Sequence, residues 1–276
     1  MRWCCSVDAS VYCILEMVDS KLRRSLQTAP VLVALGLLGC VGGGAPADPY
    51  DIGRKPEVVA SAGTSSGGGS GSLPIAGSKE SHFPLVDGTS WTYHHTTVID
   101  DPWDETDTVT QGTYQGQDVS VLSDEEDAQG EQTRSTHVVD GTRVYRAYKE
   151  VAVGDIVAVT TTYSPAFLRY DEAWTSIGQT VTLDDDWTQN CVVASTASNC
   201  APGAMKIGTT THTYTVLDTA EELTVLAGKF TTVKIQRDNV SSPETKLFWF
   251  AAGVGKVKEE SPATGAVTEL SAYEIP

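Results

Sequence analysis

From about Phe83 onward, hydrophobic and polar residues alternate in short runs separated by turn-forming dipeptides. Phe83 to Tyr93 opens the pattern: Asp87-Gly88 signals a turn, and Trp91 and Tyr93 alternate with polar neighbours at the period of a half-buried strand. The same grammar predicts strands over Thr106 to Tyr114, Thr133 to Val139, Arg143 to Tyr148, Val151 to Tyr163, Gly208 to Leu217, Glu222 to Leu226, Phe230 to Arg237, Lys246 to Phe250, Lys256 to Glu260 and Ala266 to Tyr273. Asp140-Gly141, Gly154-Asp155, Ala227-Gly228 and Pro262 to Gly265 supply hairpin turns. No long helical period follows Cys40, and a short helix is expected only within Ser164 to Trp174. The pattern predicts an all-β domain over residues 82–276: one antiparallel, curved sheet, forming a half-barrel or a sandwich.

Ahead of this domain, Ala29 to Leu38 is nearly unbroken apolar sequence, too short to span a bilayer as a helix but the length of a signal-peptide core. Lys21, Arg23 and Arg24 precede it as a basic region. Leu37-Leu38-Gly39-Cys40 resembles the lipobox of bacterial lipoproteins. The resemblance implies a signal peptide over 1–39 and Cys40 as the acylated first residue of the mature chain, with each buried CH₂ adding roughly 0.8 kcal/mol to membrane attachment. Asp8, Glu16 and Asp19 fit this scheme poorly, and translation from Met17 would leave a signal of ordinary length. Residues 40–81 turn to Gly, Ser, Ala and Pro, a composition that cannot bury a core and is expected to act as a flexible tether. Its r.m.s. reach is ~35 Å. Gly63-Thr64-Ser65-Ser66-Gly67 matches G-x-S-x-G, but lacks the strand and helix that would expose a reactive serine.

The chain carries 36 acidic and 19 basic residues, a net charge of −17. Taking away the three acidic and four basic residues before Cys40 leaves 33 against 15. Such an excess argues against nucleic acid and anionic lipid surfaces as partners. Besides Cys40, the mature chain holds Cys191 and Cys200, whose spacing and exported context suit a disulfide worth about 2–3 kcal/mol. Zinc would need further ligands at short spacing, and none is adjacent.

Asp100 to Asp107 packs five carboxylates into eight positions, and Asp184-Asp185-Asp186 adds three more. Hard cations such as calcium take clustered oxygens, so Asp101, Asp104, Asp107, Asp184 and Asp186 are candidate ligands, with a solvated acidic loop as the plainer reading. Asp124 to Asp127 reads as a turn at a strand end. His94 and His95 should face opposite sides of a strand, while His137 and His212 are isolated, so no catalytic constellation is visible and no cofactor is expected. Aromatic residues, among them Trp91, Tyr93, Trp103, Trp174 and Trp187, suit core packing or a ligand cavity. In Phe248-Trp249-Phe250 the two phenylalanines should share one face and Trp249 the other, leaving one face for a ligand or partner.

The opening Phe83-Pro84-Leu85 with Gly88, Trp91 and Tyr93, the segment Ala227 to Ile235, and the closing Trp249 to Val257 resemble a group of uncharacterised bacterial membrane-anchored lipoproteins. The resemblance covers both ends of the folded region and not its middle. It implies a curved antiparallel sheet in the cell envelope and supplies no catalytic residues. The resulting expectation is a non-enzymatic envelope lipoprotein, a carrier of lipid or another hydrophobic ligand on a curved sheet. The alternative is a surface-exposed structural or adhesive lipoprotein, with calcium as a candidate cofactor. Its partners would be the membrane through Cys40 and an envelope protein or hydrophobic ligand, and Val41 after the cysteine suggests the outer membrane. Mass spectrometry of the mature amino terminus should show an acylated Cys40; an unmodified thiol there would remove the membrane assignment.

Overall fold

The computed structural model describes residues 73–127, 130–193, 201–242 and 244–276. The signal, Cys40, nearly all of the tether and Cys200 lie outside them. Twelve strands are described: β1 (Ser90–Thr96), β2 (Trp103–Tyr114), β3 (Gln117–Ser123), β4 (Glu131–Asp140), β5 (Arg143–Val153), β6 (Ile156–Asp171), β7 (Thr180–Cys191), β8 (Met205–Val225), β9 (Gly228–Asn239), β10 (Glu244–Ala251), β11 (Gly255–Ser261) and β12 (Ala266–Glu274). Each strand pairs antiparallel with its neighbour in sequence, and β12 returns to β1, placing Trp91 opposite Tyr273 and His95 opposite Thr268. The single sheet is thus a closed up-and-down barrel, in which no edge is left unpaired.

Several elements differ from the sequence expectation. β3 and β7 were not anticipated, because their inward residues are mixed polar and apolar and give a weak alternation. The segment read as a short helix is the end of β6: Ser164 to Asp171 continues the strand through irregular pairing with β5, and no helix occurs among the described residues. Two expected strands, Gly208 to Leu217 and Glu222 to Leu226, are one strand, β8, which bends at register shifts around Asp218.

Eight strands make a barrel that its own side chains can fill; twelve enclose a wider space. One end of this barrel is filled. Trp91, Val109, Val144, Tyr170, Trp174, Val216, Ile235, Phe250 and Leu270 converge there with Phe83 and Leu85 from the segment preceding β1. That segment, residues 73–89, forms a plug reaching back into the stretch read as tether, with Ala76 and Ser81 buried. Backbone bonds tie it down: Leu85 N–H to Gly77 O at 2.9 Å, Gly253 N–H to Ser81 O at 2.9 Å and Gly88 N–H to Val109 O at 2.9 Å. The fully buried Glu172 carboxylate accepts from Ser81 Oγ at 2.6 Å and His82 N–H at 2.9 Å, and pairs with His82 Nδ1 at 2.7 Å. Gly255 adopts φ +109°, and a Cβ there would lie 3.0 Å from Trp91 Nε1, whose N–H donates to the Val254 carbonyl. The glycine in Gly253-Val254-Gly255 is therefore demanded by close packing of the plugged end.

The outer faces of β7 and β8 are polar. On β7 and β8, Thr182 bonds Thr213 at 3.0 Å and Asp184 accepts from Thr211 at 2.6 Å, so these strands present hydroxyls and carboxylates rather than an apolar, lipid-facing band. Replacing Glu172 with Ala should cost about 2–4 kcal/mol, because three donors lose a buried acceptor. Chemical denaturation is the measurement, and an unchanged midpoint would show that the plug is not latched by this carboxylate.

Candidate functional site

Inward-facing residues change character along four of the wall strands from the plugged end to the other end. On β9 the inward series is Val233, Ile235, Arg237 and Asn239; on β8 it is Val216, Tyr214, His212 and Thr210, with Ile235 paired to Val216 and Arg237 to Tyr214. On β10 it runs Phe250, Phe248, Lys246, and on β2 Val109, Asp107, Glu105. Strand alternation puts these residues on one face. The lumen is apolar at the plug, charged in the middle and mixed toward the mouth.

A cavity of about 420 Å³ occupies the mouth half. Its walls include Tyr163, Trp187, Gln189, Thr210 and Asn239, and Phe167 lies deeper, beside His212 and Asp185. Trp187 lies flat across β8 because Gly208 has no side chain: a Cβ there would come within 2.5 Å of the indole. The indole N–H donates to Thr210 Oγ1 at 3.1 Å. His212 Nδ1 and Asp185 Oδ2 are 2.6 Å apart. Burial raises the Asp185 pKa, although the bond to His212 opposes the shift. Such a pair can hold an imidazole in one orientation and exchange a proton with a bound molecule. Among the described residues no serine or cysteine hydrogen-bonds His212.

Beneath and around Phe167 stand three guanidinium groups, Arg146, Arg169 and Arg237, at 5.9, 5.8 and 5.3 Å from its ring centre. Arg169 also lies 6.0 Å from the Phe83 ring, and Arg237 5.0 Å from that of Phe248. Burial, followed by repulsion from Arg146 and Arg237, holds the Arg169 pKa down to about 9. His137, buried against Phe83, is kept neutral by burial and then by Arg146 and Arg169. Burial and Arg146 also lower the Lys149 pKa.

Of the acids in or beside the lumen, Glu259 and Asp124 have bonded partners of their own and Asp107 has none among the described residues. Glu259 takes Lys246 at 2.9 Å and Lys256 at 2.8 Å; burial would raise its pKa, but the two ammonium groups outweigh it and hold the carboxyl far below the usual range. Asp124 accepts the backbone N–H of Thr133. Asp107, inward on β2, has its pKa raised to about 6, chiefly by burial, with Lys256 opposing and Glu105 and Asp124 adding to the rise.

The acidic cation candidates do not converge. Asp104 faces outward and bonds His94 at 2.7 Å, Asp107 faces the lumen, and Asp101 lies in the turn before β2. Asp184 and Asp186 lie on the outer face of β7, bonded to Thr211 and Thr209, with Asp185 inward between them. Among the described residues no three His, Cys, Asp or Glu side chains are placed to hold a metal ion. His94 and His95 diverge as strand geometry requires, His95 stacking on Trp103 at 4.8 Å. Phe248 and Phe250 share the inward face, while Trp249 is outward but only 3% exposed, covered by Lys234 and Lys258 at 4.6 and 5.4 Å. Cys191 is buried at the mouth end of β7, and Cys200, its expected disulfide partner, lies outside the described residues.

Sequence reasoning passed over Arg146, Lys149, Arg169 and Arg237, the residues that give the lumen its charge. The inward series Val233, Ile235, Arg237, Asn239 was a readable signal, since a strand face that turns from apolar to cationic points into a space and not merely into a core. No family model, curated protein or solved structure matches the chain.

Because the folded pKa of Asp107 is raised from 3.8 to about 6, the folded state holds that proton more tightly than the unfolded chain. Stability from this group is present below about pH 4 and is lost as pH rises through about 6, by roughly 3 kcal/mol. Asp107→Asn should therefore raise the unfolding temperature at pH 7.5 and leave it nearly unchanged at pH 4. Equal shifts at both pH values would show that Asp107 is not ionised at a cost.

Proposed function

We propose that this chain is an exported, lipid-anchored binding protein of the cell envelope whose barrel lumen takes a small ligand. The observation that carries the reading is the open cavity of about 420 Å³ in a barrel whose other end is filled. Its volume falls within the range of small-molecule sites, and Tyr163, Phe167 and Trp187 supply flat apolar surface beside Gln189, Thr210, His212 and Asn239. A purely structural barrel gains nothing by leaving such a space unpacked, because void costs contact energy. The mixed lining favours an amphiphilic ligand over a wholly apolar one. In this reading Cys40 fixes the protein to the membrane, and residues 40–72 let the barrel reach ligand some distance away. A bridge between Cys191 and Cys200 would pin the loop beside the mouth.

The neutral fluorophore N-phenyl-1-naphthylamine should bind with increased emission, and Thr161→Trp, which places an indole in the cavity wall, should abolish binding without lowering the unfolding temperature. Absence of binding to the wild-type barrel, or equal binding by the filled variant, would leave the structural or adhesive reading in its place.

A further inference from the structure

We infer that the lumen recognises its ligand by an oxyanion, seated on the guanidinium groups of Arg146, Arg169 and Arg237, with an apolar body extending past Phe167 toward Tyr163 and Trp187. The inference rests on the lumen-binding reading and specifies what that site takes.

Three observations carry it. First, three guanidinium groups and the Lys149 ammonium crowd the middle of the barrel, and none forms an ion pair with a carboxylate among the described residues. Glu259 is bonded to Lys246 and Lys256 and Asp185 to His212, and the attraction of Glu259 and Asp107 for Arg169 and of Asp185 for Arg237 acts beyond ion-pair distance. Second, the Nε groups of Arg146 and Arg169 have no hydrogen-bond acceptor among the described residues. Buried donors without acceptors are rare, and a charged one is the most costly kind. None of the three arginines is fully buried, and they stand behind Phe167, the side chain that separates them from the cavity whose wall it forms. Third, a recess of about 10 Å³, room for about one water, lies between Arg169, Arg237 and the rings of Trp174, Tyr214, Phe248 and Phe250, so an oxyanion there would be seated by a shift of Phe167 or of the guanidinium groups.

A planar fork of N–H donors matches carboxylate and phosphoryl oxygens, and the guanidinium planes stack on aromatic rings without competing for those donors. The arrangement satisfies with a ligand what the chain leaves unsatisfied. The rim opposes such a ligand, because Asp100, Asp101, Asp124, Glu125, Glu126 and Asp155 lie in connections at the mouth end. Those charges are mostly exposed and screened within about 8 Å at physiological salt, whereas the arginines act at contact distance, so the rim slows access more than it weakens binding.

The test compares two probes of nearly the same body, anilinonaphthalene sulfonate, which carries an oxyanion, and N-phenyl-1-naphthylamine, which does not. On the intact barrel the sulfonate should bind about tenfold or more tighter, and hexanoate should displace it while inorganic phosphate at the same concentration does not. Arg169→Gln and Arg237→Gln should each remove that advantage and leave the neutral probe's affinity unchanged. Arg169→Gln should also raise the unfolding temperature of the ligand-free protein, since it relieves an unpaired charge; a merely structural arginine would lower it when removed. Equal affinity of both probes, unaffected by the arginine variants but lost in Thr161→Trp, would overturn the oxyanion seat while the lumen site stood. Displacement by phosphate as effective as by hexanoate would overturn the apolar body. Failure of both probes, or binding unaffected by Thr161→Trp, would overturn the lumen site and the seat together.

Discussion

Closure of twelve strands is the constraint on which the rest of the structure depends. Pairing β12 with β1 leaves no edge exposed, but it creates an interior wider than a single layer of side chains can fill. The two halves meet that demand differently. At one end, residues 73–89 fold inward and bring Phe83 and Leu85 onto Tyr170, Trp174 and Phe250, latched by Glu172. At the other the space is left, walled by threonines, aromatics and charged groups. The plug and the cavity are two consequences of one geometry.

That division explains how the barrel tolerates its charged middle. Guanidinium groups without carboxylate partners reduce stability, and they are placed where a dense apolar half lies on one side and a solvent-accessible lumen on the other. Aromatic rings around them, Phe167 above all, supply contact without neutralising them. Lysines in the same lumen are treated differently: Lys246 and Lys256 share Glu259 and are spent on holding β10 to β11. The contrast between these two paired lysines and the unpaired arginines and Lys149 separates structural charge from charge kept free.

Much of the fold was legible in the sequence because it is written locally. Alternation along Phe230 to Arg237 and Lys246 to Phe250, with turn glycines between the runs, identifies strands and hairpins from neighbouring residues alone. β7 was hidden by Asp184-Asp185-Asp186, which reads as a loop until the middle carboxylate is seen facing inward to His212 and the outer two bonded to threonines of β8. The end of β6 was hidden because bulges around Phe167 break the two-residue period that marks a strand. Barrel closure depends on β1 meeting β12, residues some 180 positions apart, and no local signal carries that pairing. The cation layer was hidden for the same reason. Arg146, Arg169 and Arg237 are far apart in sequence, each unremarkable by itself, and only closure brings them around one ring.

The sign of the chain's charge and the sign of its lumen therefore have separate origins. The net charge of −17 belongs to the chain as a whole, and many of the described acids lie on outward faces and connections, where water and salt screen them. The arginine group is small in number but sits where screening is weak, so it governs what the interior accepts. Judging the protein by its composition points to cations as ligands; judging it by the facing direction of four side chains points to anions. Distance and dielectric decide between them, and at contact range inside the barrel the guanidinium groups prevail over a distant acidic rim.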